Sequence, residues 1–98
     1  MDRTEIMTRL AARTDAIRAK GATALFIYGS RVRGDNNPGS DLNVFVEYDA
    51  TKKFSLLDLV AVKHAIEDEI GIEVDITTRD SLNPLLKDEI EGHALRVF

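Results

Sequence analysis

The sequence predicts an α/β (α+β) fold, a small mixed β-sheet backed by helices. Two observations point there. Short apolar or alternating runs of strand length recur along the chain, and the segments between them carry apolar residues at helical spacing. Glycine, proline and asparagine fall between these runs, where turns are needed.

The elements follow in the order α-β-β-α-β-α. Residues 3–20 read as one helix, with Ile6, Leu10 and Ile17, helped by Met7 and Ala16, as its apolar stripe. Asp2 with Glu5 has the form of a capping box, and Lys20-Gly21 of a stop. Ala22–Tyr28 is short and almost wholly apolar, as suits a strand buried on both faces at the centre of a sheet. Gly34, Asn36, Asn37, Pro38 and Gly39 mark a loop. Leu42–Tyr48 alternates and reads as the second strand. Ser55 with Asp58 opens a helix carrying Leu56, Leu59, Val62, Ile66 and Ile70, which Gly71 closes. Residues 72–77 form a third strand, with Asp75 on the face opposite Val74 and Ile76. Asn83-Pro84 begins a last helix through about Glu91, because proline suits the first helical position.

A length of 98 residues suits one domain, 1–98, with a single modest core. Cysteine is absent, which excludes disulfides and thiolate metal sites. No apolar run approaches the roughly 18 residues of a membrane span, and the first residues lack a signal-peptide layout, so the expectation is a cytoplasmic protein with no membrane partner. A net charge of −4 argues against direct nucleic-acid binding through a basic surface. Positive charge gathers in the first third, at Arg3, Arg9, Arg13, Arg18, Lys20, Arg31 and Arg33, mostly as solvated helix faces.

Three features converge on one sheet edge. Gly29-Ser30 ends the first strand, where a glycine permits close ligand approach and a following helical turn would aim N–H groups at a phosphate. Asp41 and Asn43, two apart on a strand, share a face and can grip a hard cation. Asp75 lies beside them if the strands are neighbours. Singly, Gly29-Ser30 reads as an ordinary turn and Asp41 with Asn43 as a solvent-facing strand start, while Asp75 fits an exposed polar position equally well.

Together they resemble the nucleotidyltransferase superfamily related to DNA polymerase beta, and most closely its minimal (MNT) branch. The pattern there is Gly-Ser, ten residues, Asp-x-Asp and a later Asp. Here Gly29-Ser30 is followed by ten residues, then Asp41-Leu42-Asn43, and later Asp75, in the context Gly29-Ser30-Arg31-Val32-Arg33-Gly34 with Ser40-Asp41. The resemblance implies a polymerase beta palm-like fold and a site for ATP and Mg2+. Gly29 and Ser30 would hold phosphates, with Arg31, Arg33 and Ser40 completing the nucleotide-binding set. Asp41, Asn43 and Asp75 would occupy the catalytic and metal positions, Asp75 also taking the proton of the incoming hydroxyl. It further implies an antitoxin that transfers AMP from ATP to a tyrosine of a HEPN-domain toxin.

Asn43 departs from that pattern, which has a second Asp there. Its amide keeps one oxygen for a cation but brings no negative charge. The resemblance therefore implies impaired transfer, through natural drift toward a binding role or deliberate disabling. The alternative function is an inactive nucleotide- or toxin-binding protein that neutralises its partner by occlusion, with Leu95, Val97 and Phe98 either at that interface or completing the core. Transfer to a small molecule such as an aminoglycoside ranks lower, since nothing outside the nucleotide site suggests a second pocket. His64 and His93 read as structural or solvent-exposed.

Overall fold

A computed structural model describes residues 1–34 and 41–98. Its elements are α1 (Arg3–Ala11), α2 (Thr14–Arg18), β1 (Ala22–Tyr28), α3 (Ser30–Arg33), β2 (Leu42–Tyr48), α4 (Leu56–Ile70), β3 (Val74–Thr78), α5 (Lys87–His93) and β4 (Leu95–Arg96). A 3-10 turn at Arg79–Ser81 follows β3. The expected fold class is the one observed, a mixed sheet with helices, now with additional short elements.

The strands lie in the order β3-β2-β1-β4. Here β1 pairs antiparallel with β2 and β4, while β2 pairs parallel with β3. Parallel neighbours need a crossover, and α4 supplies it. Leu25, Ile27, Val44, Val46 and Val74 point to one face, where Ile6, Leu10, Ile17, Val62 and Ile66 meet them in the core. Alternation sends Phe26, Tyr28, Asn43, Phe45 and Asp75 to the other face. β1 is therefore not wholly apolar on both sides: a register shift between Ala22 and Ala24 leaves Thr23 exposed.

On that second face Phe26 and Phe45 stack with ring centroids 4.7 Å apart. The Arg79 guanidinium lies over both rings and bonds Glu47 on β2 and Glu91 on α5. Phe45 is fully buried by this cover although no long helix packs there. An arginine suits the position because its planar cation can stack on rings while donating sideways.

The first helix differs from expectation. It breaks at Ala12–Arg13, where the Thr14 hydroxyl donates to the Ala11 carbonyl at 2.7 Å, a local bond that competes with helical hydrogen bonding. Asp2 does cap α1, accepting the Glu5 N–H at 2.8 Å. The last helix begins at Lys87 rather than Pro84. Asn83 accepts the Leu85 N–H through its own side chain, and this turn consumes the proline position. The Ser55–Asp58 capping box and the left-handed Gly71 stop are both present on α4.

Leu95, Val97 and Phe98 pack against the core, and Val97 and Phe98 exchange backbone hydrogen bonds with Leu25. The basic residues near the N-terminus are mostly engaged: Arg13 pairs with Glu69 at 2.9 Å and Arg9 with Glu5 at 3.3 Å. Among the described residues no helix is long and apolar enough to cross a membrane.

Two leucine-type positions on α4 separate burial from composition. Ile66 is fully buried, whereas Leu57 is 80% exposed. Ile66→Ala is expected to cost about 2–5 kcal/mol in chemical denaturation, and Leu57→Ala no more than about 0.5 kcal/mol.

Candidate active site

The register of the sheet builds the site. Tyr28 on β1 is paired with Asn43 on β2, and Asn43 with Asp75 on β3, so the three residues form one row on the face away from the main core. Asp41 stands two residues before Asn43, one step beyond the strand end, and is exposed. The sequence-based candidates Asn43 and Asp75 are thus direct neighbours, with Asp41 adjoining them. Ser40 lies outside the described residues.

Immediately after Tyr28 the chain turns at Gly29, with φ 89° and ψ −157°. That conformation is essentially closed to residues bearing a Cβ. Sterics add a second demand, since a Cβ at Gly29 would sit 2.4 Å from Asn43 Nδ2. Glycine is therefore required both by the turn and by its close approach to the Asn43 amide. Ser30 then begins the helical turn α3, whose Val32 and Arg33 N–H groups bond back to the Gly29 carbonyl at 3.1 Å.

Two distant side chains grip this turn. Arg3 donates to the Val32 carbonyl at 2.7 Å, tying α3 to α1. His93, at the end of α5, accepts the Gly29 N–H at Nε2, 3.2 Å away. His64 is exposed on α4, as expected for it. The place of His93 is what sequence reasoning missed. No spacing ties it to residue 29; only the pairing of the C-terminal strand with β1 brings it there.

A cavity of about 470 Å3 adjoins Ser30, lined also by Arg3, Arg31, Arg33 and Asp2. Its lining includes neither Asn43 nor Asp75, so it flanks the acidic row rather than containing it. Arg31 and Arg33 each have a partner in the structure.

The row is electrostatically coupled. The Tyr28 hydroxyl is held above its usual pKa, first by burial and then by the negative charge of Asp75. Among the described residues no group of three or more His, Cys, Asp or Glu side chains could hold a metal ion. The donor set is instead two carboxylates and one amide, all oxygen ligands that suit a hard cation, with less charge than three carboxylates would bring.

The profile of the nucleotidyltransferase domain matches residues 13–97. The chain belongs to the nucleotidyltransferase domain family. It is 42% identical over 78 residues to a Methanocaldococcus jannaschii protein that carries the provisional name protein adenylyltransferase, covering 80% of this chain and 82% of that one. A solved structure provisionally described as a minimal nucleotidyltransferase superimposes with a TM-score of 0.71 at 30% identity, over 97% of this chain and 95% of its own. A chain from the complex of a tri-AMPylated Shewanella oneidensis HEPN toxin with its MNT antitoxin gives a TM-score of 0.64. That match covers 94% of this chain and 71% of that one, and at 9% identity the likeness is one of fold. In this nucleotidyltransferase domain the Gly-Ser turn and the Asn43–Asp75 pair sit at adjacent strand ends.

The coupling of Tyr28 to Asp75 gives a pH test of the row. Removing the charge with Asp75→Asn lowers the Tyr28 pKa toward its ordinary value, so phenolate appears at lower pH than in the unaltered chain. Ring-carbon NMR titration resolves this from Tyr48, whose own pKa is raised by Asp80 and stays unchanged. A Tyr28 titration indifferent to Asp75→Asn would contradict the geometry.

Proposed function

We propose that this domain binds ATP with magnesium at the Gly29, Asn43 and Asp75 edge, and that its chemistry is transfer of AMP to a tyrosine of a HEPN-domain toxin, attenuated by Asn43. The observation that carries the proposal is the Asn43–Asp75 pairing, with Gly29 packed against the Asn43 side chain. The adenylyltransferase name of the M. jannaschii relative and the AMPylated HEPN toxin in a complex of like fold support the acceptor and the group transferred. The setting is the cytoplasm, where ATP is available, and no nucleic acid takes part.

In this reading Ser30, Arg31, Arg33 and Ser40 receive the triphosphate, and Asp41, Asn43 and Asp75 present oxygens to magnesium. When bound, magnesium supplies charge neutralisation and polarises the α-phosphate. The acceptor phenol oxygen forms a bond to the α-phosphorus as the bond to the β-phosphate oxygen breaks, releasing pyrophosphate. Asp75, exposed at the edge strand, takes the phenolic proton. The neutral amide of Asn43 leaves the metal position one charge short, which slows transfer by roughly several orders of magnitude.

That same amide favours a second reading, in which the domain neutralises its toxin by binding and occlusion alone. Calorimetric titration of ATP with magnesium into the chain and into Asn43→Asp, followed by labelled-ATP incubation with the cognate toxin, separates the two. Restoring one charge beside the cation is expected to tighten magnesium-dependent binding by about tenfold or more, even after solvent screening, and to place label on the toxin. Absence of label with both forms would overturn AMP transfer; absence of nucleotide binding by both would overturn the nucleotide site.

A further inference from the structure

The Gly29 N–H points at an imidazole rather than into open space. We infer that His93 is a positioning residue for the Gly29-Ser30 turn, holding the Gly29 N–H so that Ser30, not Gly29, is the phosphate-facing donor. The inference rests on the nucleotide reading above and assigns a residue to it that no local motif marks.

The hydrogen bond runs from Gly29 N to His93 Nε2 at 3.2 Å, in a half-buried setting, between residues 64 apart in sequence. In this bond Nε2 presents a lone pair to the Gly29 N–H. Gly29 itself is buried, and a buried N–H left without an acceptor is costly. The imidazole therefore does for the end of β1 what a continued strand ladder would do, after the chain has left the sheet at φ 89°.

What holds the imidazole in place is also visible. The C-terminal end of α5 is attached twice: Glu91 bonds Arg79, which lies over Phe26 and Phe45, and Leu95–Arg96, just after the helix, pairs with β1 at Ile27 and Phe26. His93 stands between these two attachments, beside Gly29, the residue that follows β1. On the other side of the turn Arg3 holds the Val32 carbonyl. The turn is thus fixed by side chains of the first and last helices, and Ser30, the residue after the held N–H, lines the adjoining cavity.

The N–H···N bond is directly observable as a scalar coupling between the Gly29 amide nitrogen and His93 Nε2 in the labelled chain. The coupling is expected without nucleotide and is expected to survive addition of ATP with magnesium. His93→Ala is expected to speed amide exchange at Gly29 and Ser30, leave Val46 protected, and weaken nucleotide binding roughly 3- to 10-fold, the effect of one neutral hydrogen bond. His93→Gln, which offers an amide oxygen, is expected to recover most of that loss. Absence of the coupling, its disappearance on nucleotide addition, or unchanged exchange in His93→Ala would each overturn the inference. So would an affinity unchanged by His93→Ala in a chain that binds nucleotide. A chain that binds no nucleotide, yet shows the coupling and the exchange response, would refute the nucleotide reading and leave His93 as the residue that sets the turn.

Discussion

Slipping β2 by one residue against either neighbour would carry Asn43 into the core and turn Val44 out to solvent. The core forbids this, because Leu42, Val44 and Val46 are all fully buried among the helices. The row Tyr28–Asn43–Asp75 is therefore a by-product of hydrophobic register. Burial of alternate residues on one face fixes which polar residues stand side by side on the other. The chemistry-bearing face inherits its precision from the apolar one, and it needs few contacts of its own.

Close approach then shapes the corner of that face. Gly29 sits against the Asn43 amide with no room for a Cβ, and its backbone is in a region that only glycine occupies readily. Asn43 thus abuts the turn that would face phosphates and is paired across the sheet with Asp75, whose carboxylate would face a cation. An aspartate there would be nearly the same size, so the amide alters charge while preserving shape.

Much of this was legible in the sequence, for identifiable reasons. β1 and β2 have the expected limits because their apolar runs are bounded by glycines and polar residues, and α4 because its capping box and its Gly71 stop are both local signals. The pairing of residues 43 and 75 could be expected once the strands were taken as neighbours, since side-chain alternation is fixed by the pleat. What sequence did not reveal depends on long-range packing or on weak local competition. The break after Ala11 turns on one Thr14 hydroxyl, and the late start of α5 on an Asn83 side-chain turn. β4 is only two residues long and exists because β1 offers it an edge. His93 followed from β4, and Arg79 reads as an ordinary surface cation until the Phe26 and Phe45 rings beneath it are known.

In the proposed function a divalent cation and nucleotide meet at the row of Asp41, Asn43 and Asp75, beside the Gly29-Ser30 turn. The most direct measurement is site-resolved paramagnetic broadening of amide signals by Mn2+ in the presence of ATP. Broadening is expected to centre on Gly29, Ser30, Asn43 and Asp75, to be enhanced by nucleotide and to be stronger in Asn43→Asp. Broadening centred instead on the acidic stretches at Glu67-Asp68-Glu69 or Asp88-Glu89, and indifferent to nucleotide, would contradict it.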